Sequence, residues 1–189
     1  MEQIKQAIRQ MISVTDAELE YFLESCRTEL FSRKSYLAEA NKVPDEIFFI
    51  NKGIIRTTID NKSGKENTLH FALENQFIAD YSHFILGQPA LYNLIAIEET
   101  EAVVIPRKSI EWGYQNMTEG DKLGRTIAEF YFIYQDNRIK NLYARSPKER
   151  YDEIEQVFPN IHNRVPQHMI ASYLGITPVH LSRLKKEDR

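Results

Sequence analysis

The spacing of apolar positions changes twice along the chain, and the changes divide it into three stretches. Over residues 1–30 the spacing is helical. Thr15-Asp16-Ala17-Glu18 has the form of a capping box, and Leu19, Phe22 and Leu23 follow at one-turn intervals. From about residue 33 to residue 106, short apolar runs separated by turn residues replace the helical pattern. EIFFIN (46–51), IIRTTI (54–59), the turn NKSG (61–64) and ENTLHFAL (66–73) predict a meander of strands, which NLIAIEE (93–99) and AVVIP (102–106) extend. Gly53 and Gly64 stand where the tight connections need glycine. Strands this short and this evenly spaced predict a barrel or roll, not a parallel α/β sheet.

From Thr118 the period becomes about 3.6. Leu123, Ile127, Phe130 and Tyr134 form a 4-3-4 stripe, and no proline interrupts residues 107–146. One helix over roughly 118–144 is expected, about 38 Å long at the α-helical rise. Such a stripe suits pairing with a second copy of itself, or packing on the chain's own barrel. Three short helices follow. Ser146-Pro147-Lys148-Glu149 supplies a cap serine, a first-turn proline and a glutamate at the third helical position. That helix carries Tyr151, Ile154 and Val157 and stops at Phe158-Pro159. A second begins at Pro166 and ends at Gly175. Thr177 caps the third, with Pro178 at its first position. The whole predicts an α+β chain in three parts: 1–117, 118–145 and 146–189.

Composition narrows the class. With 189 residues, 42% apolar and 27% charged, the chain can bury a real core. No apolar run approaches the roughly 18 residues of a membrane span, and the polar start MEQIKQAIRQ carries no secretory or transit pattern. A cytoplasmic protein without a membrane partner is expected. The single Cys26 excludes an internal disulfide and a cysteine metal site. The net charge of −3 is unevenly spread: residues 138–189 hold ten Lys/Arg against six Asp/Glu, a local +4 that leaves −7 on the remainder. An acidic body with a basic tail fits a polyanion-binding module joined to a regulatory one.

The sharpest signal is QHMIASYLGITPVHLSRLKK (167–186). Ala171 is the small residue that two crossing helices need, and Gly175 supplies the turn. Ile170, Leu174, Ile176, Leu181 and Leu184 lock the pair at the spacings a helix-turn-helix requires. The second helix then presents Pro178, Val179, His180, Ser182, Arg183, Lys185 and Lys186. Arg183, His180 and Val179 are candidates for base readout, arginine being shaped to grip guanine bidentately. Thr177, Ser182, Lys185 and Lys186 are candidates for phosphates, and Gln167 and His168 join the DNA-binding set from the first helix.

With barrel-like strands, a long helix and the C-terminal ITPVHLSRLKK segment, the chain resembles the cyclic-AMP receptor protein / fumarate–nitrate regulator (Crp/Fnr) family of bacterial transcription factors. Residues 146–183 are similar to short members of Bacteroidetes type. The resemblance implies an N-terminal cyclic-nucleotide-binding β-roll, a central dimerisation helix formed through Leu123, Ile127, Phe130 and Tyr134, and a C-terminal helix-turn-helix domain reading palindromic double-stranded DNA. RNA polymerase and an unidentified small-molecule effector are further candidate partners. Two departures stand out. Members that bind cyclic AMP carry a glycine–glutamate pair for the ribose and an arginine–serine pair for the phosphate. These fall here on Ile78-Ala79 and near Ala90-Leu91, and there is no arginine between Arg56 and Arg107. A buried phosphate needs a cation or several donors, so no cyclic AMP response is expected. The sequence also stops five residues after Leu184, so the β-hairpin wing of many members is expected to be absent.

Other constellations are weaker. His70, His83, His162, His168 and His180 are scattered without metal spacing, so no metal or cofactor is expected. Glu98, Glu99 and Glu101 read as a solvated strand end. No nucleophile–base set or phosphate loop argues for an enzyme. Tyr81, Phe84, Tyr92, Tyr131 and Tyr134 are candidates either for a small-molecule cavity in the roll or for plain core. The alternative function is a ligand-sensing roll acting through protein contacts, with a degenerate DNA-binding unit.

Overall fold

The computed structural model describes residues 1–62 and 64–187. Helices α1 (Glu2–Met11) and α2 (Asp16–Leu23) lead into strands β1 (Arg27–Phe31), β2 (Tyr36–Ala38), β3 (Glu46–Lys52), β4 (Ile55–Asp60), β5 (Glu66–Ala72) and β6 (Phe77–Ile78). Then come α3 (Tyr81–Leu86), β7 (Asn93–Ala96), β8 (Thr100–Pro106), α4 (Arg107–Asn116) and α5 (Gly120–Ala144). Helices α6 (Pro147–Val157), α7 (Ile161–Arg164), α8 (Gln167–Tyr173) and α9 (Pro178–Glu187) complete the described chain.

The strands form two antiparallel sheets, ordered β1-β8-β3-β6 and β2-β7-β4-β5. Side chains alternate across each strand, and here both faces are covered. In β3, Phe48 and Ile50 point into the roll with Phe31, Ile55, Leu94 and Val104. Their neighbours Ile47 and Phe49 point outwards, where α1, α2, α4 and α5 cover them. Two-sided burial explains why EIFFIN and AVVIP are nearly continuous apolar runs. The outer face of the second sheet, through Phe71, Leu73 and Ile97, is covered by Ile154, Phe158, Ile161 and the α8–α9 pair. Gly53, at φ +105°, turns the chain into β4 against β8; a Cβ there would sit 2.7 Å from the Thr100 Cα.

Local signals translate directly. Thr15 and Ser146 each close a capping box, with Glu18 and Glu149 respectively. Several boundaries differ from the sequence reading. The helical stretch assigned to 1–30 ends early, because Arg27–Phe31 is a strand registered on Thr100–Val104. Its edge position leaves it mostly exposed, so it shows no apolar alternation. The short β2, β6 and α3, and helix α4 ahead of α5, add to the elements read from pattern. Four helices, not three, follow residue 146, since the single turn α7 is too short to show a period. Within the expected NKSG turn and the expected 146–189 unit, Ser63, Asp188 and Arg189 lie outside the described residues.

Candidate nucleic-acid interface

Helix α9 is built to show one face and hide the other. The Thr177 hydroxyl accepts the His180 backbone N–H at 3.2 Å, closing the first turn. Gly175, at φ +69°, makes the reversal from α8. Leu181 and Leu184 are buried against α8, together with Ile170, Ala171 and Leu174. Thr177, Pro178, Val179, His180, Ser182, Arg183 and Lys186 stay exposed, and Lys185 is half-buried. Val179 is 63% exposed, which no packing role within this chain explains. Arg183 and Lys186 are exposed on this helix, with Lys185 and Lys186 in its last turn. Gln167 and His168 are exposed at the start of α8. The exposed face carries donors at the capped, positive N-terminal end and cations further along it, a set suited to an anionic partner.

The helix pair is held on the roll by groups that local spacing does not reveal. Arg164 bonds Glu74 through both terminal nitrogens, at 3.0 and 2.6 Å, and also reaches Glu98. Glu98, expected at a solvated strand end, is thus part of this clamp. Burial works against ionisation of Glu74, but the Arg164 hydrogen bonds and the Gly53 N–H hold its carboxyl below the usual range. The buried His70 Nδ1 lies 2.7 Å from the Tyr134 hydroxyl, which lies 3.1 Å from that of Tyr173 on α8. Burial, and then the Arg138 charge, depress His70 to about 3, so it is neutral. Arg138 lies over the Tyr173 ring and donates to the carbonyls of Tyr173 and Thr68. The only sequence trace of Arg138 is its place in the 4-3-4 series Ile127, Tyr131, Tyr134, Arg138.

The residues expected to pair two copies divide. Leu123 is buried on the chain's own core, Ile127 packs partly on it, and Tyr134 faces His70 and Tyr173. Phe130 is 60% exposed. Beside it, Thr126, Phe130, Ile133 and Asn137 repeat the 4-3-4 spacing, with Ile133 also exposed.

The segment around α3 is tied together by its own side chains. The buried Asp80 carboxylate accepts the backbone N–H groups of Leu91 and Tyr92 at 3.1 and 3.4 Å and contacts the His83 ring at 2.8 Å. Ile78 fills the roll core, and Ala90 is buried. Arg56 and Arg107, the flanking arginines, are committed to Glu66 and Asp45. Of the five aromatic residues proposed for a cavity in the roll, Tyr81 and Tyr131 line one. It lies outside the roll, while Tyr134 packs among the rings of His70, Phe158 and Tyr173. Among the described residues no helix is long and apolar enough to cross a membrane.

Residues 28–116 match the cyclic nucleotide-binding domain family model. The cAMP-activated global transcriptional regulator CRP of Salmonella typhimurium is 31% identical over 74 residues, 39% of this chain and 35% of the relative. The match therefore spans about a third of that relative's length. Among solved structures, FixK2 from Bradyrhizobium japonicum superposes with a TM-score of 0.72 at 13% identity, covering 86% of this chain and 83% of that one. The c-di-GMP responsive global regulator CLP of Xanthomonas campestris gives 0.70 at 12% identity, covering 92% and 91%. A protein described as a transcriptional regulator of the Crp/Fnr family, from Eubacterium rectale, gives 0.72 at 14% identity over 92% and 83%. At these identities the structural likeness shows a shared fold. CRP, CLP and the Eubacterium rectale protein are each described as regulators.

Proposed function

We propose that the chain, whose residues 28–116 match the cyclic nucleotide-binding domain family model and whose fold is that of the Crp/Fnr regulators, is a homodimeric, DNA-binding transcription regulator of the cytoplasm. One observation carries the reading: α9 buries Leu181 and Leu184 and leaves Val179, His180, Ser182, Arg183 and Lys186 bare at a capped helix end. Helices α8 and α9 act as a helix-turn-helix whose second member enters the major groove. Arg183, His180 and Val179 read bases; Thr177, Ser182, Lys185, Lys186, Gln167 and His168 position the protein on phosphates. Two copies pair through the outward face of α5 around Phe130, which sets two α9 helices about one turn of DNA, roughly 34 Å, apart.

The same regulator does not respond to cyclic AMP. A phosphate brought to the α3 segment meets the Asp80 carboxylate on the amides it would need, with no free guanidinium beside it. The test of the reading is the salt dependence of binding to a pool of duplex fragments. Contact with several phosphates predicts a steep fall in affinity between about 50 and 200 mM salt. A flat response, or no binding, would leave the roll acting through protein contacts instead.

A further inference from the structure

Where α4 meets α5, side chains are missing from the interface, and a cavity of about 80 Å³ remains. It lies between these helices, α1, α2 and the outer face of the first sheet, separate from the roll interior and from α9. The helices approach backbone to backbone. A Cβ on Gly120 would sit 2.0 Å from the Gly113 carbonyl oxygen, and one on Gly124 would sit 2.4 Å from the Tyr114 hydroxyl. These contacts fix the wall, so the space is not closed by a small shift of the helices.

The lining decides what fits. Every lining residue is aliphatic, aromatic, methionine, alanine or glycine. The Tyr131 hydroxyl is already used, donating to the Phe77 carbonyl. The polar groups left are the hydroxyls of Tyr81 and Tyr114, 3.4 Å apart and so only weakly bonded to each other. Partial burial, then Tyr81 and Asp121, push the Tyr114 phenol up, and at 41% exposed it stands as a protonated donor at the rim of the cavity. No cation lines the space and Asp121 stands near, so an anion is disfavoured twice over. The wall formed by α5 ends at Tyr131, one turn before Tyr134, where the same helix contacts α8.

We propose that this cavity is a binding site for a small neutral molecule, largely apolar and carrying one hydroxyl, seated with that hydroxyl between Tyr81 and Tyr114. The site goes beyond the DNA-binding reading and does not depend on it, since its occupancy is measured without DNA. The full chain is titrated calorimetrically with three probes that share an ethylphenyl body, 4-ethylphenol, ethylbenzene and 4-ethylbenzoate, and contact is checked by saturation-transfer NMR. The phenol should bind most tightly, ethylbenzene about tenfold more weakly for want of one hydrogen bond, and the carboxylate not measurably. Ala79→Phe, which fills the space, should weaken the phenol by at least about tenfold. Tyr81→Phe with Tyr114→Phe keeps both rings and should abolish the preference for the phenol while leaving ethylbenzene unchanged, which a merely damaged fold would not do. The proposal is overturned if 4-ethylphenol fails to bind below about 1 mM. Equal binding of the three probes, or an Ala79→Phe variant that folds and binds like the parent, overturns it as well.

Discussion

Arg164 and Glu74, on a single-turn helix and on the connection after β5, meet in a two-pronged ion pair of 3.0 and 2.6 Å. With the Arg164–Glu98 contact, it ties the helices that carry α9 to the roll they rest on. Both side chains keep roughly a fifth to a third of their exposure, at 22% and 31%, so the pair is neither a surface ornament nor a buried charge.

Its removal should loosen the docked unit. Arg164→Met is expected to cost about 1–2 kcal/mol, below the roughly 3–5 kcal/mol of a fully buried pair broken on one side. Thermal unfolding of Arg164→Met, Glu74→Gln and the double variant checks this as a cycle. Additive losses in the double variant would show that the two residues are not coupled.

The buried His70 predicts acid sensitivity. Its folded value is about 3, against 6.5 ordinarily, so the unfolded chain takes up the proton first as pH falls. Its contribution is complete above pH 6.5 and is lost progressively from there towards pH 3, at about 1.4 kcal/mol per pH unit. Denaturant unfolding at a series of pH values should show this slope, and His70→Gln should flatten it. An unchanged slope in the variant would assign acid sensitivity to other groups.

Pairing of two chains is best tested at Phe130 and Ile133, both exposed. Phe130→Glu with Ile133→Glu should give folded monomers in sedimentation. Charging Leu123 or Ile127 would instead injure the chain's own core. A double variant that remains dimeric would move the interface off this face.

Cyclic AMP and cyclic GMP should give no heat of binding at concentrations up to about 1 mM, because losing a charged phosphate partner typically costs about 2–5 kcal/mol. A micromolar constant for either nucleotide would show that Asp80 yields its amides.

Much of this molecule is local and could be read from spacing alone. The boxes at Thr15 and Ser146 and the turn at Gly175 need only near neighbours to form. What spacing does not carry is the identity of a distant partner. The Leu123–Tyr134 stripe shows that α5 has an apolar face, yet Leu123 and Tyr134 are satisfied by their own chain and Phe130 is left bare. Arg138 and Arg164 bond groups 35 to 90 residues away, and nothing in their neighbourhoods announces it. Glu98 looks like solvent-facing charge for the same reason. Strand β1 escaped because an exposed edge strand has no alternation to display.

Sequence reading by α9 is put to the test by selecting bound fragments from a random duplex library, in parallel for the parent chain and Arg183→Ala. The parent should enrich a palindrome whose half-site centres lie about one helical turn apart. Arg183→Ala should relax one base pair in each half-site and cost about 1–3 kcal/mol on the parent's preferred sequence, with little change elsewhere. Failure of the parent to enrich any sequence, or an equal loss on every sequence in Arg183→Ala, would contradict the account.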